Sequence, residues 1–210
     1  MPNLFAALLL SMALAAPALT AAAAEKIVTL SGASALLLDV PGRVTVRIDP
    51  RGEARARVRM EPDFLDRITV RVERGIARIA TSGSFRSERL HIDVVLNALE
   101  SMDVRGATEV ELERVEARAL ALQASGSAQV GIGAGRVRRL SLRLAGSAEL
   151  FAPNLAASEC TVYCRDSANA KLACSESVSG QVSGAGGLAV SGNPKRRAVR
   201  AEDAAEVRFE

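Results

Sequence analysis

Apolar and polar residues alternate along most of the chain, and turn residues interrupt this alternation at short intervals. A period of two places the apolar side chains on one face of an extended strand. The segment from Ala54 to Met60 shows the pattern most clearly, because Arg55, Arg57 and Arg59 occupy its polar positions. The alternation predicts half-buried β-strands at residues 36–40, 44–48, 54–60, 68–72, 76–80 and 91–96. No segment has the pattern of a long amphipathic helix.

After residue 105 the alternation is organised into a sequence repeat with a period of about 20 residues. Equivalent positions at the start of successive repeats hold Gly106, Gly126, Gly146 and Asp166, and a short alternating stretch follows each of them. Glycine and aspartate suit a corner because both tolerate left-handed backbone. A repeat this short cannot bury its own apolar side, so successive repeats have to stack. The pattern therefore predicts an all-β fold, a β-solenoid with coils about 4.8 Å apart.

Stacking at this spacing aligns side chains of successive coils into columns. The apolar columns are expected to point inward and the polar ones outward. The inward columns are Leu120, Leu140 and Cys160; Leu122, Leu142 and Val162; Ala124, Leu144 and Cys164; Val110, Val130, Leu150 and Ala170; and Leu112, Ile132, Ala152 and Leu172. Gln123, Arg143 and Tyr163 form a polar column. A degraded last coil is expected at 183–190, slightly closer to its predecessor than a full repeat.

Residues 1–24 are expected to form a signal peptide outside the fold. Residues 4–19 are apolar, and residues 22–24 supply the small side chains of a cleavage site before Glu25. An uncleaved membrane anchor is the weaker interpretation, because the apolar run is short and Pro17 interrupts it. We therefore expect an exported protein, periplasmic or associated with the cell surface or outer membrane, with no transmembrane segment in the mature chain.

The remaining residues, 25–210, are expected to form one solenoid domain, since a chain of this length can enclose a single continuous core. Three parts are distinguished by their composition. They are an alternating-strand part at 25–98, the repeats at 99–192, and a basic loop followed by a capping strand at 193–210.

Composition limits the kinds of site that this chain can build. It contains no Trp, one Tyr, five Phe and one His, so little material exists for an aromatic sugar platform, a histidine metal site or a Ser-His-Asp triad. A net charge of +3 is small for a nucleic-acid-binding protein. We predict no catalytic residue, no cofactor, no metal site and no nucleic-acid partner. His91 is interpreted as an outward strand residue.

The three cysteines are the sharpest local anomaly in the repeats. In an oxidising compartment one disulfide would leave one free thiol. Cys160 and Cys164 lie about 13 Å apart on one face of a predicted strand, which is too far for a bridge unless the strand bends. If a bridge forms, Cys174 is the favoured partner. The alternative is that the cysteines are small buried apolar residues.

Two rows of charged or polar residues are candidates for binding or catalysis. One is the outward column Glu109, Gln129, Glu149 and Asn169, beside Glu111 and Glu113. Acidic clusters of this kind occur in enzymes that cleave polysaccharides, sometimes with Ca²⁺, but the amides interrupt this column and favour a solvated polar surface. The other is the arginine stripe of residues 55, 57 and 59, which suits contact with a polyanion or, as we favour, protection of a sheet edge.

The ordered succession of Gly-Ser-Ala corners resembles the auto-transporter adhesin head GIN domain, a family of exported bacterial β-solenoid-like proteins. Residues 40–46 resemble its opening turn, 63–79 its strand-glycine-strand segment, 99–106 its entry into the repeats, and 190–194 its closing segment. The resemblance implies an all-β, repeat-built fold and an adhesin-like role, and it carries no catalytic residues. This chain departs from the family in having Asp166 at the fourth corner and three cysteines.

These observations predict a non-enzymatic exported protein of the cell envelope, acting as a binding module or a structural scaffold. The expected partner is an envelope or surface macromolecule, either polysaccharide or protein. The alternative is a carbohydrate-active β-helix enzyme, a lyase or hydrolase that would use Glu109 or Glu149 on envelope or extracellular polysaccharide. A third interpretation is a structural protein that self-associates through its solenoid ends.

Overall fold

The computed structural model describes residues 24–83 and 90–210, and nearly all of their regular secondary structure is strand. The described strands, 15 in number, are hydrogen-bonded into one continuous sheet. This sheet winds into a β-solenoid of about five turns, which confirms the predicted fold class. A 3₁₀ helix at Pro62–Arg67 is the one helical element of the described residues. The signal peptide expected at 1–24 lies outside the described residues except for Ala24 and stays a prediction.

The strands are short before the repeats and long within them. The short strands are β1 (Ala24–Thr29), β2 (Ala35–Asp39), β3 (Arg43–Ile48), β4 (Arg55–Met60), β5 (Ile68–Glu73), β6 (Ile76–Thr81), β7 (His91–Leu96) and β8 (Ser101–Arg105). The long strands are β9 (Glu109–Gly126), β10 (Gln129–Gly146), β11 (Glu149–Cys164) and β12 (Asn169–Val182). Three short strands end the chain: β13 (Gly187–Ser191), β14 (Arg196–Ala201) and β15 (Glu206–Phe209).

Each long strand has two parts that pair with different neighbours. The first part of β9 pairs with β3, and its second part pairs with β8. At the other end of the repeats, the first part of β12 pairs with β13 and its second part with β14. The strands therefore form two rows. The first row contains β1, β4, β7, β3, the first parts of β9–β12, β13 and β15; the second row contains β5, β6, β2, β8, the second parts of β9–β12, and β14.

The strand register confirms the predicted columns. Leu140 pairs with Leu120 on one side and with Cys160 on the other, and all three side chains are buried. The number of residues between paired positions then decreases within β12. Leu172 pairs with Ala152, a full repeat earlier, but Val178 pairs with Cys160, slightly less than a full repeat earlier. Two register shifts between β11 and β12 absorb this difference. The shortened spacing of the last coil thus begins inside β12, before the segment where the sequence shows it.

The corner between the two rows has the left-handed backbone that the sequence indicates. The φ angles of Gly106, Gly126, Gly146 and Asp166 are 72°, 83°, 77° and 67°. Successive corners are in contact, because a Cβ atom on Gly146 would lie 2.8 Å from the carbonyl oxygen of Gly126. The Asp166 carboxylate accepts a hydrogen bond from the Gly146 amide at 3.0 Å. Aspartate therefore fits the fourth corner and also binds the third.

The chain end differs from the exposed basic loop suggested by the sequence. Residues 196–201 form β14, which pairs in parallel with the second part of β12. Arginines occupy half of this strand, and its side chains are exposed except for the half-buried Val199. Alternation is a weak signal in an edge strand, because one row of backbone hydrogen bonds and few inward side chains suffice to hold it. Charged side chains also protect such an edge from pairing with other chains. The segment expected to cap the solenoid holds β15, which pairs with β13.

Candidate binding groove on the second row

The arginine stripe of β4 points outward from the first row, but its charges are neutralised locally. The Arg57 guanidinium lies 2.8 Å from the carboxylate of Glu25, and Arg55 lies 3.5 Å from Glu53. Arg59 forms an ion pair with Asp93. Each arginine therefore has a nearby carboxylate partner, and the stripe offers no free cluster of positive charge to a polyanion.

Two of the first-row carboxylates, Glu109 and Glu113, form cross-strand pairs with arginines. Arg43 donates two hydrogen bonds to the carboxylate of Glu109, at 3.0 and 3.2 Å. Arg47 donates two to Glu113, both at 2.8 Å. The hydrogen bond from Arg47 lowers the pKa of the Glu113 carboxyl, since it favours the charged form. Arginines of β3 thus hold these two carboxylates on the strand surface.

The remaining candidates on this row follow the register without forming a cluster. Gln129 and Glu149 occupy the next two coils after Glu109, and Asn169 follows them. The His91 ring Nε2 lies 3.0 Å from the Asp93 carboxylate and points outward from β7, as predicted. Within residues 24–83 and 90–210, no three His, Cys, Asp or Glu side chains come together as a metal site.

The cysteines have separate structural roles in the interior. Cys160 and Cys174 form a disulfide with a Cα–Cα distance of 6.4 Å, so Cys174 is the bridging partner. The bond joins β11 to β12 beside the register shifts. Cys164 is buried with a free thiol, and desolvation raises its pKa to about 12. Its thiolate is not formed at neutral pH, which excludes a role as an activated nucleophile.

A groove of about 720 Å³ lies on the outer surface of the second row. One wall is a single column of side chains contributed by five successive strands, β8 to β12. The register places them side by side in the order Asp103, Gln123, Arg143, Tyr163 and Gln181. The smaller side chains of Ser125, Ala145 and Ser183 line the groove beside this column. Long side chains next to small ones produce the depression.

The charge in this groove is distributed differently from that of the first row. Asp103 is the one carboxylate among the described lining residues, and Arg105 binds it at 2.6 and 3.0 Å. No carboxylate of the described residues lies within ion-pair distance of Arg143. Its guanidinium instead stacks over the Tyr163 ring, 5.6 Å from the ring centre. Tyr163 is 44% exposed, so this cation–π pair faces the solvent.

The sequence indicated the polar column but not the groove. Alternation predicts that Gln123, Arg143 and Tyr163 point outward together, and the register confirms this. It does not reveal which outward column borders a depression, because that depends on the neighbouring columns and on the corner beside them. The available signal for a binding surface was that the one tyrosine of the chain lies in an outward column.

Most of the chain, including the groove, matches a known protein family. Residues 37–194 match the family model described as "Putative auto-transporter adhesin, head GIN domain". The chain belongs to this family. The groove of this GIN domain, lined by residues between 103 and 183, lies wholly inside the matched segment, whereas β14 and β15 follow it. Among curated proteins, none matches the chain.

Solved structures share the solenoid at low sequence identity. The GIN domain superposes on a putative adhesin from Bacteroides fragilis with a TM-score of 0.75 and 14% identity, covering 90% of this chain and 97% of that one. A putative adhesin from Parabacteroides distasonis gives a TM-score of 0.54 at 12% identity, over 90% of this chain and 98% of its own. A putative lipid binding protein from the same species gives a TM-score of 0.54 at 12% identity, over 91% of this chain and 98% of its own. At these identities the likeness shows the fold.

No helix among the described residues of the GIN domain is long and apolar enough to cross a membrane.

Proposed function

We propose that this GIN domain is a non-enzymatic binding module that holds a macromolecule of the cell envelope or cell surface against the outer surface of its second row. The observation that carries the proposal is the exposed Arg143–Tyr163 stack in the groove, whose arginine has no carboxylate partner among the described residues. On the first row, arginines of the same kind are paired with carboxylates. Arginine and tyrosine are also enriched where proteins bind partners.

The chemistry of the groove favours binding over turnover. Glycoside hydrolysis commonly needs two carboxyl groups that flank the scissile bond, one of them able to give up a proton. In the described lining, Asp103 is the one carboxylate and accepts two hydrogen bonds from Arg105. On the first row, Glu109 is bound to Arg43 in the same manner. The binding of these two carboxylates by arginines gives no support to the alternative, a carbohydrate-active enzyme.

The scaffold supports a binding role by its rigidity. The groove column is anchored on strands whose inward neighbours, such as Leu122, Leu142 and Val162, are buried in the core. A surface that is already ordered loses little conformational entropy when a ligand binds. Membership of an adhesin-like family agrees with a role on exported surfaces. We therefore place the protein outside the cytoplasm, facing an envelope or extracellular partner.

The test compares two matched double variants. Arg143→Ala with Tyr163→Ala removes a cation and an aromatic ring from neighbouring strands of the second row. Phe151→Ala with Lys171→Ala removes the same two kinds of side chain from neighbouring strands of the first row, where Phe151 is 60% exposed. Immobilised purified protein is incubated with fractionated bacterial envelope polysaccharides and outer-membrane material. Retained mass is measured, and the size of the ligand is compared before and after contact.

We expect the wild type and the first-row variant to retain the same ligand, unshortened, and the second-row variant to lose it. Equal retention by all three proteins would reject the groove as the binding surface. Shortening of the ligand by the wild type would reject the non-enzymatic assignment.

A further inference from the structure

Hydrogen-bond donors outnumber free acceptors in the groove. The donors include the guanidinium groups of Arg143 and Arg165 and the side-chain amide of Gln123. Arg165 is 74% exposed, and its nearest carboxylate, Asp166, lies at 3.9 Å and is already bound to the Gly146 amide. The Asp103 carboxylate is occupied by Arg105. A ligand that satisfies this surface has to be rich in acceptors and negatively charged.

Stacking on Tyr163 prepares Arg143 for an anion. A cation–π contact uses none of the N–H donors of a guanidinium group, so an edge of the planar fork of Arg143 stays available. That edge matches the two oxygens of a carboxylate or sulfate group in a bidentate contact. Because the ring restrains the arginine without using its donors, less side-chain entropy is lost when the anion binds.

The shape of the groove selects an extended ligand. Its column crosses five strands, from Asp103 on β8 to Gln181 on β12. At the usual strand spacing this corresponds to about 19 Å along the solenoid axis. Tyr163 and Arg165 are both exposed in this groove, so a linear polymer can lie across the coils and contact them.

The accompanying residues favour a glycan among linear polyanions. Single-stranded nucleic acids stack successive bases on several aromatic rings, whereas the described lining contains one ring, Tyr163. Anionic membranes attract clusters of about four to eight basic residues. The described lining holds three, of which Arg105 is bound to Asp103 and Arg165 lies 3.9 Å from Asp166. The hydroxyls of Ser125 and Ser183 and the amide of Gln123 suit the hydroxyl groups of a sugar.

We propose that the groove binds an acidic glycan, with carboxylate or sulfate groups of the sugar chain on Arg143 and Arg165. This inference rests on the proposed function, since it names the ligand class of the same groove. Arg143, stacked on Tyr163, supplies the oriented contact. Arg165, the first residue after β11, supplies a second charge. The amide and hydroxyl groups of the lining contact the neutral part of each sugar.

The experiment uses polymers that differ only in charge. Binding of the purified protein is measured by biolayer interferometry to dextran and dextran sulfate, and to polygalacturonate and its methyl ester. Single-stranded DNA and vesicles containing anionic phospholipid are measured in parallel. The variants are Arg143→Ala, Arg143→Lys, Tyr163→Ala, and the first-row control Phe151→Ala with Lys171→Ala, each checked for an unchanged thermal unfolding curve.

We expect binding to both charged polymers and not to their neutral counterparts. Arg143→Ala should weaken it at least about tenfold, the size of a charge-assisted contact. Arg143→Lys should recover only part of the affinity, because lysine lacks the planar fork. The control should bind like the wild type, and binding should weaken as salt is raised.

Three results would overturn the acidic-glycan assignment. Equal groove-dependent binding to neutral and charged polymers would refute the ligand class and leave the proposed binding function intact. Tighter groove-dependent binding to DNA or to vesicles would also refute the ligand class and keep the binding function, and it would identify another polyanion as the ligand. If no polymer binds, or if the control variant loses binding as fully as Arg143→Ala, both the ligand class and the groove as a binding surface fail.

Discussion

The outer surfaces of the two rows are built on the same coils but differ in how their charges are paired. On the first row, the register sets Arg43 opposite Glu109, and one guanidinium nitrogen donates to both carboxylate oxygens. On the second row, the neighbours of Arg143 are Gln123 and Tyr163, neither of which is a carboxylate. Opposite charges on directly paired positions satisfy one another. In a β-solenoid an arginine therefore indicates a binding surface only where the register leaves it unpaired.

The first row resembles an ordinary solvated protein surface. Its arginine stripe lies on β4, which pairs with β1 on one side and β7 on the other, so the stripe does not protect a sheet edge as the sequence suggested. Nearby carboxylates pair with these arginines. The second row keeps its charge available for another molecule. Changes to the core and corners that support both rows should therefore reduce stability, whereas changes to the exposed groove should reduce binding.

The disulfide should have the largest effect on stability. Cys160 and Cys174 are 14 residues apart in sequence, and replacing both by alanine should lower the free energy of unfolding by about 3 kcal/mol. Urea denaturation measures this loss. Cys160 lies in the second part of β11, beneath the second row, so hydrogen exchange should accelerate there more than in the first part of the same strand. Equal acceleration in both parts would contradict a link that supports one row preferentially.

The matched control for this change is Cys164→Ala, which removes a buried thiol without a bridge. It should lower the free energy of unfolding by clearly less than the double replacement does. Alkylation of the unfolded, unreduced wild type should label one cysteine. The native protein should resist alkylation at pH 8, because burial raises the pKa of the Cys164 thiol to about 12.

A substitution at the corner that joins the two rows should have the second largest effect on stability. Gly146→Ala places a Cβ atom 2.8 Å from the Gly126 carbonyl oxygen, on a backbone with φ of 77°. We expect a loss of about 2 kcal/mol, from left-handed strain together with displacement of the neighbouring corner. Gly32→Ala is the matched control, since its φ is 75° and no atom lies within 4 Å of the added carbon. Thermal unfolding should show a distinctly smaller loss for the control, about 1 kcal/mol; equal losses would show that corner stacking contributes nothing.

The ion pairs of the first row should have a small effect on stability. Glu113→Gln removes the partner of Arg47, and we expect the unfolding midpoint to fall by no more than about 3 °C, because the pair is exposed and screened by solvent. The pKa of Glu113 is lowered in the folded state. Its contribution is therefore present above the unfolded-state pKa, near about 4.3, and is lost as pH falls through the lower folded-state value.

Unfolding midpoints of the wild type and Glu113→Gln should accordingly converge in acid and in high salt. Glu111→Gln is the comparison variant, because Glu111 forms no ion pair with any described residue. A loss of similar size in both variants would contradict a specific role for the Arg47–Glu113 pair.

The groove residues should have the smallest effect on stability. Arg143→Ala with Tyr163→Ala removes two exposed side chains, and we expect the free energy of unfolding to change by less than about 0.5 kcal/mol. The same variant should lose ligand binding. A decrease in stability as large as that of Gly146→Ala would instead assign this stack to the support of the fold, and would remove the distinction between the two surfaces.

Local periodicity determines how much of the strand pairing can be predicted from the sequence alone. In the repeats, each strand pairs with the next one in the chain, so a constant repeat length is enough to place Leu120, Leu140 and Cys160 in one column. Before the repeats, strands distant in sequence are interleaved: β2 lies between β6 and β8, and β3 lies between β7 and β9. Alternation identifies these strands but carries no information about which distant strand each will join.

The sequence by itself determined the all-β solenoid, the inward and outward columns of the repeats, and the corners, because stacked coils impose the same local requirement once in every repeat. Only the tertiary structure decided the order of the early strands, the edge strand β14 and the pairing of the surface charges. Arg47 and Arg143 are alike in sequence, each an outward arginine between apolar neighbours. They differ in their neighbours on the adjacent coil: Arg47 has the carboxylate of Glu113 within reach, and Arg143 has the ring of Tyr163. The first is therefore a paired surface and the second a binding surface.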